Sequence, residues 1–270
     1  MPTHLFDHTL FIPNGDHDIP ARVEKPAAAS PQNPVPAVVM LHGTGTQKDE
    51  VAGSYKRLAK MLAREGIASI RIDFLGHGES TGQEKDFNFS NARADILKAS
   101  EYLRGMDWAA GERIGLIGWS QGGLHAYLAA ANEPGYKSVV TWASGTGWPL
   151  SLLIPQEARA EAEANGYARI VEKEWAGHVR YMGLQWMKDI ESVNFREELG
   201  KMEAPLLAIV GTEDFMTVED IEQTVMACKN PDSRMYVIQG GDHTFKTLTR
   251  DTRVFYQAAD ATLKWLQETL

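Results

Sequence analysis

"RIGLIGWSQGGLHAYLAAA", residues 113–131, decides the fold. Its first seven residues are a short apolar run of the kind buried on both faces of a parallel sheet. Its last eight, "LHAYLAAA", read as a helix. Between them Gly118 and Gly122 flank Ser120. A strand that turns sharply into a helix folds its backbone back on itself, so the flanking residues must be small. Gly123 adds a second place where that helix can pack closely. The same pattern recurs at residues 78–82 as "GESTG", but "TGQEKDFNF" follows and opens no helix. Ser80 is therefore read as a turn residue, and Ser120 as the candidate nucleophile.

Outward from this unit, strands and helices alternate. "HLFDHTLFI" and "IPARVEK" bracket "PNGDHD", whose Asn14-Gly15 is a hairpin signal. "AVVMLH", "IASIRID", "SVVTWA", "PLLAIVG" and "RMYVIQG" read as strands. "YKRLAKMLAREG", "ARADILKASEYLRG", "VEDIEQTVMACKN" and "DTRVFYQAADATLKWLQETL" read as helices. Such alternation implies an α/β fold of about eight strands, mostly parallel, with helices on both faces and an antiparallel edge from the opening hairpin. The segment between "SVVTWA" and "PLLAIVG" carries no strand signal, and a structureless loop of about sixty residues is implausible. It is read as a small helical insertion, residues 147–200, on a core of 1–146 and 201–270. Val171, Trp175, Val179, Met182 and Trp186 fall near helical spacing within it. That stripe packs the insertion onto the core, or, with Trp148, some of it lines an apolar site.

Composition narrows the function. The net charge is −9, which lacks the basic footprint that nucleic acid or anionic membrane requires. No apolar run is long enough to span a membrane, and "MPTHLFDHTLF" has no leader pattern. The single cysteine, Cys228, permits no intramolecular disulfide, which fits a reducing, cytoplasmic setting. No Gly-x-Gly-x-x-Gly is complete, and no His or carboxylate cluster has metal-ligand spacing, so neither cofactor nor metal is expected.

A serine hydroxyl needs a base to take its proton, and the base needs an orienting acid. Of the eight histidines, His243 in "GGDHTF" follows the last strand on a glycine-rich loop, where sites in such sheets gather. His4, His8 and His17 lie in the opening hairpin. His42 and His77 end strands beside glycines, His125 points away from the turn, and His178 lies in the insertion. The acid is read as Asp214 in "PLLAIVGTEDFMT", with Glu213 as main competitor and Asp73 behind both. An oxyanion requires donors. The backbone N–H of Gln121 and that of Thr44, in "HGTGTQKDE", are the candidates.

Five ordered motifs, "LHGTG", "RIDFLGHGES", "GWSQGG", "VGTED" and "GGDHTF", resemble the α/β-hydrolase superfamily over nearly the whole chain. Within it the chain looks most like small bacterial carboxylesterases of the cinnamoyl/feruloyl-esterase kind. The resemblance implies an α/β-hydrolase fold and a triad of Ser120, Asp214 and His243. It also implies an oxyanion hole from Thr44 and Gln121, and a cap over 147–200 that shapes the acyl pocket. The substrate expected is a small-molecule ester with an apolar or aromatic acyl part. The same triad also serves thioesterases, lactonases and acyltransferases. A non-catalytic ligand-binding protein on this fold is the reading of a different class.

Overall fold

The computed structural model describes residues 9–147, 154–172, 178–249 and 251–270. Eight strands form one sheet. They are β1 Leu10–Asn14, β2 His17–Glu24, β3 Val35–Leu41, β4 Ala68–Ile72, β5 Ala109–Trp119, β6 Tyr136–Trp142, β9 Leu206–Gly211 and β10 Arg234–Ile238. Their order across the sheet is β1-β2-β4-β3-β5-β6-β9-β10. β2 alone runs against the rest, pairing antiparallel with β1 and β4. The hairpin register ends at Asn14 opposite His17, so Gly15, at φ 67°, and Asp16 make the turn.

The apolar runs split by pleat. Ala37, Val39 and Leu41 of β3 join one apolar cluster, and Val38 and Met40 the other. On the first face lie α2 Phe89–Arg104, α3 Gln121–Asn132 and Ile221 of α7 Val218–Met226. On the second, α1 Ser54–Arg64 and α8 Arg253–Thr269 pack Leu58, Leu62, Ala258 and Leu266 onto the sheet. Burial on both faces is why these strands read as continuous apolar runs rather than alternating ones.

The insertion departs from its all-helical reading. Helix α4 Gln156–Asn165 ends at Gly166, whose φ of 83° is the left-handed cap favoured by glycine. A two-stranded antiparallel sheet follows, β7 Tyr167–Glu172 with β8 His178–Gly183, before α5 Leu184–Ser192 and α6 Phe195–Leu199. Tyr167, Ile170, Val171, Val179 and Tyr181 are β-branched or aromatic and favour a pleated surface. Val171 and Val179 are cross-strand partners, so a spacing that looks helical is here the spacing of a hairpin. The hairpin docks on residues 84–86, where the Tyr181 N–H donates to Glu84 Oε2 at 2.8 Å. Ala162, Met187, Ile190 and Leu199 belong to the same apolar cluster as α2 and α3, so the insertion is packed onto the main core. Among the described residues no helix is long and apolar enough to cross a membrane.

Candidate active site

The site stands at the carboxyl ends of β3, β5, β9 and β10, where open α/β sheets hold ligands. Ser120 sits between β5 and α3 at φ 52°, ψ −122°. That strained backbone is tolerated because its surroundings fix it. The Ser120 N–H donates to the Trp142 carbonyl at 2.8 Å. A Cβ on Gly118 would lie 2.3 Å from the Gly122 carbonyl oxygen, and one on Gly122 would lie 2.1 Å from that of Leu41. The glycines flanking Ser120 are thus imposed by contact with backbone.

His243 Nε2 lies 3.0 Å from Ser120 Oγ, and its Nδ1 lies 2.9 Å from Asp214 Oδ1. With Nδ1 protonated, the ring donates to Asp214 and can accept from the serine hydroxyl. Asp214 has no exposed side-chain surface. Its Oδ1 also accepts from the Met216 N–H at 2.9 Å. Its Oδ2 is buried with no hydrogen-bond partner among the described residues. Phe215 lies over the imidazole with ring centroids 4.2 Å apart. The indole N–H of Trp119 donates to the His243 carbonyl at 3.0 Å. Glu213 turns outward to Lys246, 2.7 Å away, and Asp73 is bound by the backbone and ammonium of Lys48.

The Thr44 hydroxyl donates to Gln121 Oε1 at 2.7 Å. Gln121 opens α3, and the N–H groups of a first helical turn have no intrahelical acceptor. A cleft is bounded by Gly43, Thr44, Glu50, Trp119, Ser120 and His243. A second, small cavity shares Thr44 and is lined by Gln121, Phe87, Arg180, Met182 and Trp186. Met182 and Trp186 are therefore in a cavity wall beside the site, whereas Trp148 and Trp175 lie outside the described residues.

Sequence reasoning missed Phe87, Arg180 and Glu50. No motif marks the first two. Glu50 closes "HGTGTQKDE" but gives no sign in sequence of turning inward. His42, His17 and His125 have partners of their own away from Ser120. His42 Nε2 accepts the Phe74 N–H at 3.1 Å, and His17 Nε2 lies 2.7 Å from Asp95. His125 is buried against Phe74, Phe87 and Phe89. Ser80 Oγ accepts the Gly76 N–H at 3.1 Å and serves its turn.

The sequence pattern described as "Alpha/beta hydrolase family" matches residues 38–266. The chain is 29% identical over 171 residues to YcjY of Escherichia coli K12, a match covering 60% of this chain and 54% of that protein. It is 31% identical over 126 residues to human monoglyceride lipase, covering 46% and 38%. These matches span about half of YcjY's length and less of the lipase's. Est1E of Butyrivibrio proteoclasticus, solved with ferulic acid bound, superposes with a TM-score of 0.75 at 21% identity, over 96% of this chain and 99% of that one.

Proposed function

The chain belongs to the alpha/beta hydrolase family, and on that premise we propose that it is a serine carboxylesterase acting on esters with an apolar or aromatic acyl part. The observation that carries this is the unbroken relay from Ser120 Oγ through His243 to Asp214, with contacts of 3.0 and 2.9 Å. Ser120 attacks the ester carbonyl as His243 Nε2 takes its proton. Asp214 holds the imidazole tautomer and stabilises the imidazolium that forms. The N–H groups of Thr44 and Gln121 donate to the oxyanion. His243 then protonates the leaving alcohol. Water attacks the acyl-enzyme with His243 as base, which releases the acid and restores Ser120.

Phe87, Met182 and Trp186 give the acyl part an apolar wall beside the oxyanion donors. The insertion then acts as a cap over that wall. The test is p-nitrophenol release from acetyl, butyryl and longer acyl esters. Turnover is expected in the wild type and a loss of roughly 10³-fold or more in Ser120→Ala. Equal activity in that variant would remove the reading.

A further inference from the structure

The oxyanion loop has a carboxylate behind it. Glu50 is buried, and Gly43, Thr46 and Val51 all donate to it from its own loop. Its Oε1 accepts the Gly43 N–H at 2.5 Å and the Thr46 hydroxyl at 3.0 Å, while Oε2 accepts the Val51 N–H at 3.0 Å. The Thr46 hydroxyl also reaches the Gly43 carbonyl at 3.0 Å. One carboxylate thus clamps both ends of the segment that carries Thr44. The backbone of Glu50 sits at φ 58°, a left-handed conformation rare for a residue with a side chain. Such conformations cluster where function holds them. A Cβ placed on Gly43 would lie 3.3 Å from Ser120 Cβ and 3.4 Å from Glu50 Oε1, so a single glycine separates the carboxylate from the nucleophile.

We propose that Glu50 is a positioning residue of the reaction: its ionised carboxylate fixes the loop that presents the Thr44 N–H to the oxyanion, and its charge faces His243 across the cleft. This rests on the esterase reading above. Two backbone N–H donors, with a Thr46 hydroxyl proton shared with the Gly43 carbonyl, favour the ionised carboxyl, which only accepts. Burial acts the other way and pushes the Glu50 carboxyl up to about 7. Its protonation then falls in the range where the reaction is run. The titratable groups facing it are His243 from the loop after β10 and Tyr55 from α1, whose buried phenol is pushed well above its ordinary value and stays neutral. Its chain neighbour Asp49 is paired with Arg71 at 3.0 Å. Below the range where Glu50 ionises, the clamp loosens and the negative charge beside the imidazolium is lost. Both effects slow the transition state and leave ground-state binding largely untouched.

The experiment is the pH dependence of kcat and KM for p-nitrophenyl butyrate in wild type, Glu50→Gln and Thr46→Val, with melting temperature alongside. Removing one oxyanion donor from a hydrolase costs about 10²–10³ in kcat, so displacing one by loss of its support should cost about 10- to 100-fold, with KM within about twofold. The acid limb of kcat should contain two ionisations in the wild type and one in Glu50→Gln. Thr46→Val keeps the charge and loses one donor, so it should lower kcat less and keep both ionisations. If Glu50→Gln kept wild-type kcat and acid limb, the inference would fall while the esterase reading stood. If that variant did not fold, a wild-type acid limb with a single ionisation would overturn the inference by itself. A wild type without Ser120-dependent turnover would remove the esterase reading and this inference with it.

Discussion

The hydroxyl of Thr44 and the side-chain carbonyl of Gln121 are joined by a 2.7 Å hydrogen bond. The loop after β3 and the first turn of α3 are thereby tied to each other independently of substrate. The two N–H groups assigned to the oxyanion belong to these same residues, so the tie sets their separation. Thr44→Val keeps the backbone donor and loses the tie. A hydrogen bond of this kind contributes about 1 kcal/mol, so kcat should fall roughly fivefold with KM little changed. Steady-state kinetics on one ester decides it, and an unchanged kcat would show that the tie does not position the donors.

Asp214 and Glu213 are neighbours in sequence and opposites in environment. Asp214 is buried against His243, whereas Glu213 is exposed and paired with Lys246. Asp214→Asn should lower kcat by about 10³–10⁴, because the imidazole loses its preferred tautomer. Glu213→Gln removes an exposed ion pair worth at most about 1 kcal/mol and should leave kcat within about threefold. The reverse ranking would assign the acid to Glu213.

The turn that carries Ser120 allows no side chain beside it. Ala at position 122 would drive its Cβ into the Leu41 carbonyl, which belongs to the central strand β3 and cannot move aside. Gly122→Ala should destabilise by about 3 kcal/mol or more, the upper range for overpacking. Thermal unfolding checks this. A melting temperature equal to wild type would mean the turn is looser than its contacts indicate.

How much was legible follows from what each signal physically is. The glycines around Ser120 are dictated by close backbone contacts, Gly118 with Gly122 and Gly122 with Leu41, so a few letters carry them. The middle of the sheet was legible because strands buried on both faces, such as β3 and β9, are continuous apolar runs. Asp214 is read as the acid with Glu213 as its competitor, since both follow the same strand and the difference is which side chain points inward. The hairpin in the insertion was not legible as such. Val171 and Val179 are eight residues apart in sequence and opposite one another in space, which mimics helical spacing. Glu50 was hidden for another reason: no motif marks the positive-φ backbone, at φ 58°, from which its carboxyl is held inside the loop.

Three buried histidines predict an acid-sensitive fold. Burial lowers His42 and His77 to about 4 and His125 to about 3, and the His42 and His77 charges would oppose protonation of His125 further. The unfolded chain binds these protons near pH 6.5, and the folded one does not until far lower. Their contribution is therefore full above about pH 6.5 and is lost as pH falls towards 4, at up to about 1.4 kcal/mol per pH unit for each group. His125 Nε2 has no hydrogen-bond partner among the described residues, so His125→Phe should flatten this dependence. Urea unfolding at several pH values from about 7 to 5 measures it. Identical slopes in the two proteins would remove His125 from the account.

The central claim is that Ser120 is the nucleophile. Its most direct test is to treat the protein with a fluorophosphonate and locate the adduct by peptide mass spectrometry. The account predicts one adduct, on Ser120, formed far more slowly in His243→Ala. An adduct on Ser80, or none in a folded protein, would contradict it.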